Sequence, residues 1–377
     1  MDTRIGIIGI SEPKYKRENS ASLDELVHDA ARRALEDAGL DRPAIDNVTV
    51  CASDLEDGRA ISSMVAACPA GAYRRDFMKT TDTGVHALGL ATMRMETGLL
   101  DATLVLSWSK QSETEEGPIR RLEADPLYRR GTGLGHLTGH ATNAAAYLES
   151  APDAEPAANS VVERNTANAA DNESGLREEA VPSAAAGDSA YAAYPIREGH
   201  LPDPCDGACA MVVCNESTSE DAPTDPVWIE GVGWEVSGYD AATAPLGELS
   251  ALSGAADSAY QEADISAPAD VLDAAEIHTK SAYHELMAIE ALGLTAGGGA
   301  PAAELEGTFG DDGNVSVNPS GGPYAGNPLI ATGLARVAAA ADRIRSSDSP
   351  IDRAVAHSTA GITDQSHGVV VLGGETA

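Results

Sequence analysis

Four short stretches gather side chains able to do chemistry. "TTDTG" sets three hydroxyls and a carboxylate, from Thr80 to Thr83, directly ahead of Gly84 and an apolar helical pattern. "EIHTKS" carries His278 at the end of a short apolar run, and "GNP" holds the amide of Asn327 between Gly326 and Pro328. "HSTAGITDQSHG" brings His357, Ser358, Thr359 and His367 close together. A threonine hydroxyl is far less acidic than a thiol of pKa about 8.5, so it attacks poorly without an adjacent base. The same Thr/Asp run is also what caps a helix. A buried imidazole can donate to a carbonyl oxygen, or serve as a hydrogen-bonded structural group at a strand end. An amide donates and accepts hydrogen bonds but moves no proton near neutral pH.

The elements that must position these groups alternate. "RIGIIGIS" reads as a buried strand, and "SASLDELVHDAARRALEDAGL" as an amphipathic helix with Leu23, Leu26, Val27, Ala30, Ala31 and Leu35 on one face. "NVTVCAS", a helix over residues 84–98 and the strand "ATLVLSWS" follow. Residues 111–203 loosen into Ala-rich helical pieces and polar loops, expected to be an insertion over the core, and "GACAMVVCN" returns to strand grammar. After the linker "ESTSEDAPTDP" the order repeats, from "VWIEGVGWEVSG" to "HGVVVLGG". The expectation is an α/β protein of two related halves, residues 1–225 and 226–377, with a site where they meet.

Composition narrows the function classes. With 59 acidic and 25 basic residues in 377, the net charge is −34, which repels nucleic acid and anionic membranes. The acidic residues are spread among patterned segments, so the chain is expected to fold, and to work in a salt-rich cytoplasm where the Debye length falls to about 3 Å at 1 M. No apolar run approaches the ~20 residues that span a bilayer, and the N-terminus lacks a basic flank and cleavage site; the expected location is cytoplasmic, without membrane insertion. The five cysteines are irregularly spaced, which favours reduced, buried thiols over a disulfide frame or a metal centre.

On longer stretches the chain resembles the thiolase family, above all its archaeal and sterol-carrier-protein-type branches. "LDELVHDAARRALEDAGL" resembles the first helix, "TTDTGVHALGLATMRMETGLLDATLVLSWSK" the nucleophile loop with its helix and strand, and "YPIREGHLPDPCDGACAMVV" the middle segment. "AEIHTKSAYHELMAIEALGL" and "NPSGGPYAGNPLIATGLARV" resemble the two C-terminal active-site loops. The resemblance implies a five-layer αβαβα fold, a homodimer, and an acyl-CoA thioester as substrate or ligand with no bound cofactor. It also implies acetyl-CoA C-acyltransferase-like chemistry, and for archaeal relatives a small OB-fold, zinc-ribbon partner protein.

Carried over position by position, the resemblance places Thr81 where family members have the nucleophilic cysteine, and Asn327 where they have the histidine of a Gly-His-Pro loop. No cysteine follows Cys214, so the family's C-terminal cysteine is absent, with His357, Ser358, Thr359 and His367 in that region instead. His278 is retained. Gly322 and Gly326 are expected to let backbone approach the ligand. The sequence therefore carries the frame with altered chemistry: an acyltransferase using Thr81, His278, Asn327 and His367, or a non-catalytic acyl-CoA-binding or scaffold subunit.

Overall fold

The computed structural model describes residues 4–12, 15–114, 122, 124–238, 245–311, 313–346 and 351–375. Parts of the 111–203 segment, residues 115–121 and 123, lie outside the described residues. The strands are β1 (Ile5–Ser11), β2 (Asn47–Cys51), β3 (Asp76–Thr80), β4 (Ala102–Ser109), β5 (Tyr191–Ala193), β6 (Ile196–Arg197), β7 (Gly207–Asn215), β8 (Val227–Val236), β9 (Ala274–Ile277), β10 (Ser316–Val317), β11 (Arg353–Ala360) and β12 (Ser366–Gly373). The long helices are α1 (Leu23–Asp37), α2 (Gly84–Glu96), α3 (His136–Ser150), α4 (Ala154–Asp171), α5 (Ser250–Glu262), α6 (Ala282–Ala291) and α7 (Thr332–Arg345).

Ten strands form one hydrogen-bonded order, β10-β9-β11-β12-β8-β1-β7-β4-β2-β3. Its two ends repeat the same plan. In the first half β2 runs parallel to β3 and β4, β4 is antiparallel to β7, and β7 to β1. In the second half β9 runs parallel to β10 and β11, β11 is antiparallel to β12, and β12 to β8. The seam between halves is narrow: β1 and β8 pair at Gly6 with Trp228 and at Ile7 with Val227. The inner strands β4 and β12 are buried along their whole length, as their nearly unbroken small and apolar runs require.

Helices fill both outer faces and the space between the half-sheets. α1 buries Leu23, Leu26, Val27, Ala30, Ala31 and Ala34, the i, i+3, i+4, i+7 stripe, against the first half. Its start is fixed by a capping box in which the Ser22 backbone N–H donates to Glu25 Oε2 at 2.9 Å. On the opposite face α3, α4, α5 and α6 contribute to a second core with β9, β11 and β12. Between them lie α2 and the Ala-rich α7, packed with residues of both halves in a central core.

These central helices begin at one point. A Cβ on Gly84 would lie 2.3 Å from the Leu334 backbone nitrogen, and one on Gly333 would lie 3.3 Å from the Gly84 nitrogen. Only glycines permit this approach. Two helix N-termini, each with partial positive charge, therefore converge where the halves meet.

Candidate active site

A cavity of about 180 Å³ opens at that convergence, with Thr81, Asp82, Gly84, His278, Lys280 and Thr359 among its walls. β9 delivers His278. Its backbone N–H donates to the His357 carbonyl at 3.2 Å, and its Nδ1 accepts from the Thr359 backbone N–H at 3.3 Å. Because Nδ1 accepts, the neutral ring carries its proton on Nε2, a buried atom with no hydrogen-bond partner in the described structure. Burial, and after it the nearby Lys280, His357, His284 and Arg336, holds the ring well below the usual histidine range. His278 is thus a fixed N–H donor at neutral pH rather than a cation.

The backbone that carries His278 is clamped from below. Asn318, at φ +50°, accepts from the Ile277 N–H through Oδ1 at 2.7 Å and donates through Nδ2 to Glu285 Oε2 at 2.8 Å. Thr279 donates to the same carboxylate oxygen at 2.6 Å, as does Asn165 at 2.7 Å. Arg164 closes the network, 2.7 Å from Glu285 and 3.0 Å from Glu304. Buried charge is tolerated here because nearly every lone pair has a donor.

Thr81 lies at the cavity wall with its residue exposed, ahead of α2. The helix cap itself is Thr83, whose Oγ1 accepts from Ser358 Oγ at 2.7 Å and pairs with His86 Nδ1 at 2.7 Å. His86 packs its ring against Trp234, 5.9 Å between centroids, so it supports the cap. Among the described residues no cysteine lines the cavity. Cys51, at the end of β2, is buried, and burial pushes its thiol up to about 12.

Asn327 lines a neighbouring cavity of about 410 Å³, which shares His136, Lys280 and Leu329 with the first. Its Oδ1 accepts from Thr332 Oγ1 at 2.8 Å, at the start of α7, and its carbonyl accepts from the Cys205 N–H at 3.0 Å. The amide thus fastens the loop to the helix it precedes. Gly326 packs against Tyr15, where a Cβ would lie 2.4 Å from the ring, and Gly322, at φ +54°, abuts Asn318. Both glycines are explained by protein packing. His367 stands behind the cavity, donating through Nε2 to the Asp364 carbonyl at 2.7 Å and accepting at Nδ1 from His357 Nε2 at 3.0 Å.

The structure adds groups that motif reading passed over. Lys280 lines both cavities. His140, from α3, meets Asp364 at 2.8 Å, and His284 lies 3.7 Å from the same carboxylate. The one sequence signal for them is the spacing of His136 and His140, one turn apart on a single helix.

Burial of His367, His284 and His200 makes stability pH-dependent. Burial, ahead of any neighbouring charge, depresses His367 to about 4, His284 to about 3 and His200 to about 4. Below the unfolded value of about 6.5 the unfolded chain binds protons that the folded one refuses, so stability is complete above that pH and is lost as pH falls toward 4. Each histidine contributes a slope of about 1.4 kcal/mol per pH unit in that window. Denaturant unfolding at constant salt should show a midpoint falling from pH 7 to pH 5; an unchanged midpoint would contradict the neutrality of these three rings.

Comparisons with known proteins agree with this geometry. Residues 237–374 match the thiolase C-terminal domain-like family. An acetyl-CoA acetyltransferase of Methanothermobacter thermautotrophicus is 25% identical over 347 residues, 89% of each chain. The fold is thiolase-like. Among solved structures, the chain superposes on the Ltp2-ChsH2(DUF35) aldolase with a TM-score of 0.85 at 18% identity, covering 99% of this chain and 98% of that one. It also superposes on a monomeric SCP2-thiolase-like protein type 1 from Mycobacterium smegmatis, TM-score 0.72 at 19% identity, covering 99% and 78%. These likenesses establish the thiolase-like fold.

Proposed function

We propose that this protein binds an acyl-CoA thioester at the junction of its halves and makes or breaks a carbon–carbon bond without forming a covalent acyl-enzyme. The observation that carries the reading is the cavity wall itself: it presents a neutral His278 N–H donor and a threonine where a thiol would be needed. The thioester oxygen sits at His278 Nε2, under the two converging helix N-termini, where negative charge is favoured as an enolate forms. In the cleaving direction a 3-hydroxyacyl thioester breaks between C2 and C3. The hydroxyl gives up its proton, C3 becomes a carbonyl, and the bonding pair becomes the thioester enolate. A proton returned to C2 completes a shorter thioester, so atoms and charge balance without an oxidant.

Support comes also from the full-length likeness to a protein described as an aldolase in complex with a DUF35 partner. A small acyl-CoA-binding partner of that kind belongs to the proposal, as does a homodimer. A second reading, acyl transfer through Thr81, is favoured by the acetyl-CoA acetyltransferase relative. The acid excess supports a salt-rich cytoplasm as the setting, so assays belong in molar KCl.

The deciding experiment offers the protein, alone and with a co-expressed DUF35-type protein, acetoacetyl-CoA plus CoA in one arm and 3-hydroxyacyl-CoA thioesters, secondary and tertiary at C3, in the other. Release of an aldehyde or ketone with no mass adduct is the expected result. Thiolysis with an acyl adduct that vanishes in Thr81→Ala would replace it with the acyltransferase reading.

A further inference from the structure

His140 is 7% exposed, and it lies in the wall of the larger cavity beside Asn327 and Lys280. Its Nδ1 faces Asp364 Oδ2 at 2.8 Å. Burial opposes ionisation of the Asp364 carboxyl, but the hydrogen bond from the His140 ring helps hold it far below the ordinary range, so it remains an acceptor. A carboxylate that accepts from Nδ1 fixes the tautomer and leaves the Nε2 lone pair on the other side of the ring. That is the arrangement of an oriented imidazole base. The groups around it are His136 on its own helix, 5.9 Å between ring centroids, Asp364 and Thr363 on the β11–β12 connection, His284 on α6, and Lys280 and Glu198 in the shared cavity wall.

From this geometry we infer that His140, oriented by Asp364, is the proton-transfer residue of the site. It occupies the same cavity wall as Asn327, whose amide moves no proton and whose Oδ1 is spent on Thr332. The inference rests on the carbon–carbon reading above and supplies its missing step. In one direction Nε2 takes the C2 proton while the electron pair moves onto the thioester oxygen at His278; in the other, His140 returns the proton to C2 of the enolate. His140 and Asp364 come from segments 224 positions apart and meet only through the fold.

The test is exchange of the C2 protons of a saturated acyl-CoA in deuterated buffer, which needs proton transfer but no carbon–carbon cleavage. His140→Asn retains an amide N–H able to reach Asp364 and removes only the Nε2 function. Exchange should fall by about 100-fold or more, with acyl-CoA binding and the unfolding midpoint close to the parent, while His140→Gln checks the result in a second side chain. Exchange in the parent that survives both substitutions overturns the assignment, as does a parent that catalyses no exchange. Exchange lost in the variants, in a parent that cleaves no 3-hydroxyacyl thioester, would keep His140 and remove the aldol reading. Cleavage unaffected by the substitutions would do the reverse.

Discussion

Replacing His278 by alanine should lower turnover by about 10²–10³-fold, with acyl-CoA binding changed far less. That is the range for losing one donor aimed at a developing oxyanion. The size follows from where the donor is: its Nε2 is buried, unpartnered by protein, and held by the Thr359 N–H on the far side of the ring. A preorganised donor costs nothing to aim when charge develops, whereas water filling a truncated site must reorient. His278→Gln, which can present an amide N–H near the Nε2 position, should recover part of the loss. A base at this position would predict no recovery, and its removal would take away an acid limb of the pH–rate profile; a donor already neutral above its depressed titration leaves the profile's limbs where they are. Equal losses in alanine and glutamine variants, together with a loss of that limb, would show that His278 accepts protons instead.

Arg164→Met should cost about 3–5 kcal/mol of stability, the scale for breaking a buried ion pair from one side. The cost comes from what is left behind. Glu285 is fully buried and Glu304 3% exposed, and each would lose its arginine with little solvent contact to offset the loss. Burial already raises the Glu285 carboxyl, with Arg164 the main opposing influence, so the variant should bind a proton on folding near neutral pH. Its stability should then improve as pH is lowered from 8 to 6, opposite to the trend expected of the histidines. The triple change Arg164→Met, Glu285→Gln, Glu304→Gln should return part of the loss by removing both stranded charges. Denaturant midpoints at two salt concentrations would separate this from surface electrostatics, since a buried pair is weakly screened. Arg164→Met should also reduce turnover, because Glu285 is the acceptor for Thr279 and Asn318, which fix the strand end bearing His278.

The frame was legible because period and burial agree along the chain. "ATLVLSWS" and "GACAMVVCN" are continuous apolar and small runs, and both are wholly interior strands over those same residues apart from the last, half-buried Asn215. Likewise α1 announces itself by spacing and by Gly39 just past its end, and α7 by the Gly326 and Pro328 loop that leads into it. His278 and Thr81 were found through their motifs, and both line the central cavity. Gly322 and Gly326 read as ligand-facing glycines, and a short sequence cannot reveal the packing that also calls for glycine there, with Asn318 and Tyr15 filling the space beside them. The His140–Asp364 pair was invisible for a related reason. Its partners belong to an alanine-rich helix and a turn with no shared motif, and their proximity depends on α3 packing over the second half.

The meeting of α2 and α7 also sets a clock on the newborn chain. α2 ends at Glu96, yet the helix that covers it runs to Arg345, and β1 finds its β8 neighbour only after Val227 has been made. At about 5–20 residues per second, roughly 12–50 s of synthesis separate the two central helices. Through that interval the first half-sheet carries an apolar helix whose other face has no cover. The surface that becomes the wall of the central cavity stays bare throughout that interval, a stretch of time in which a chaperone has something to cover.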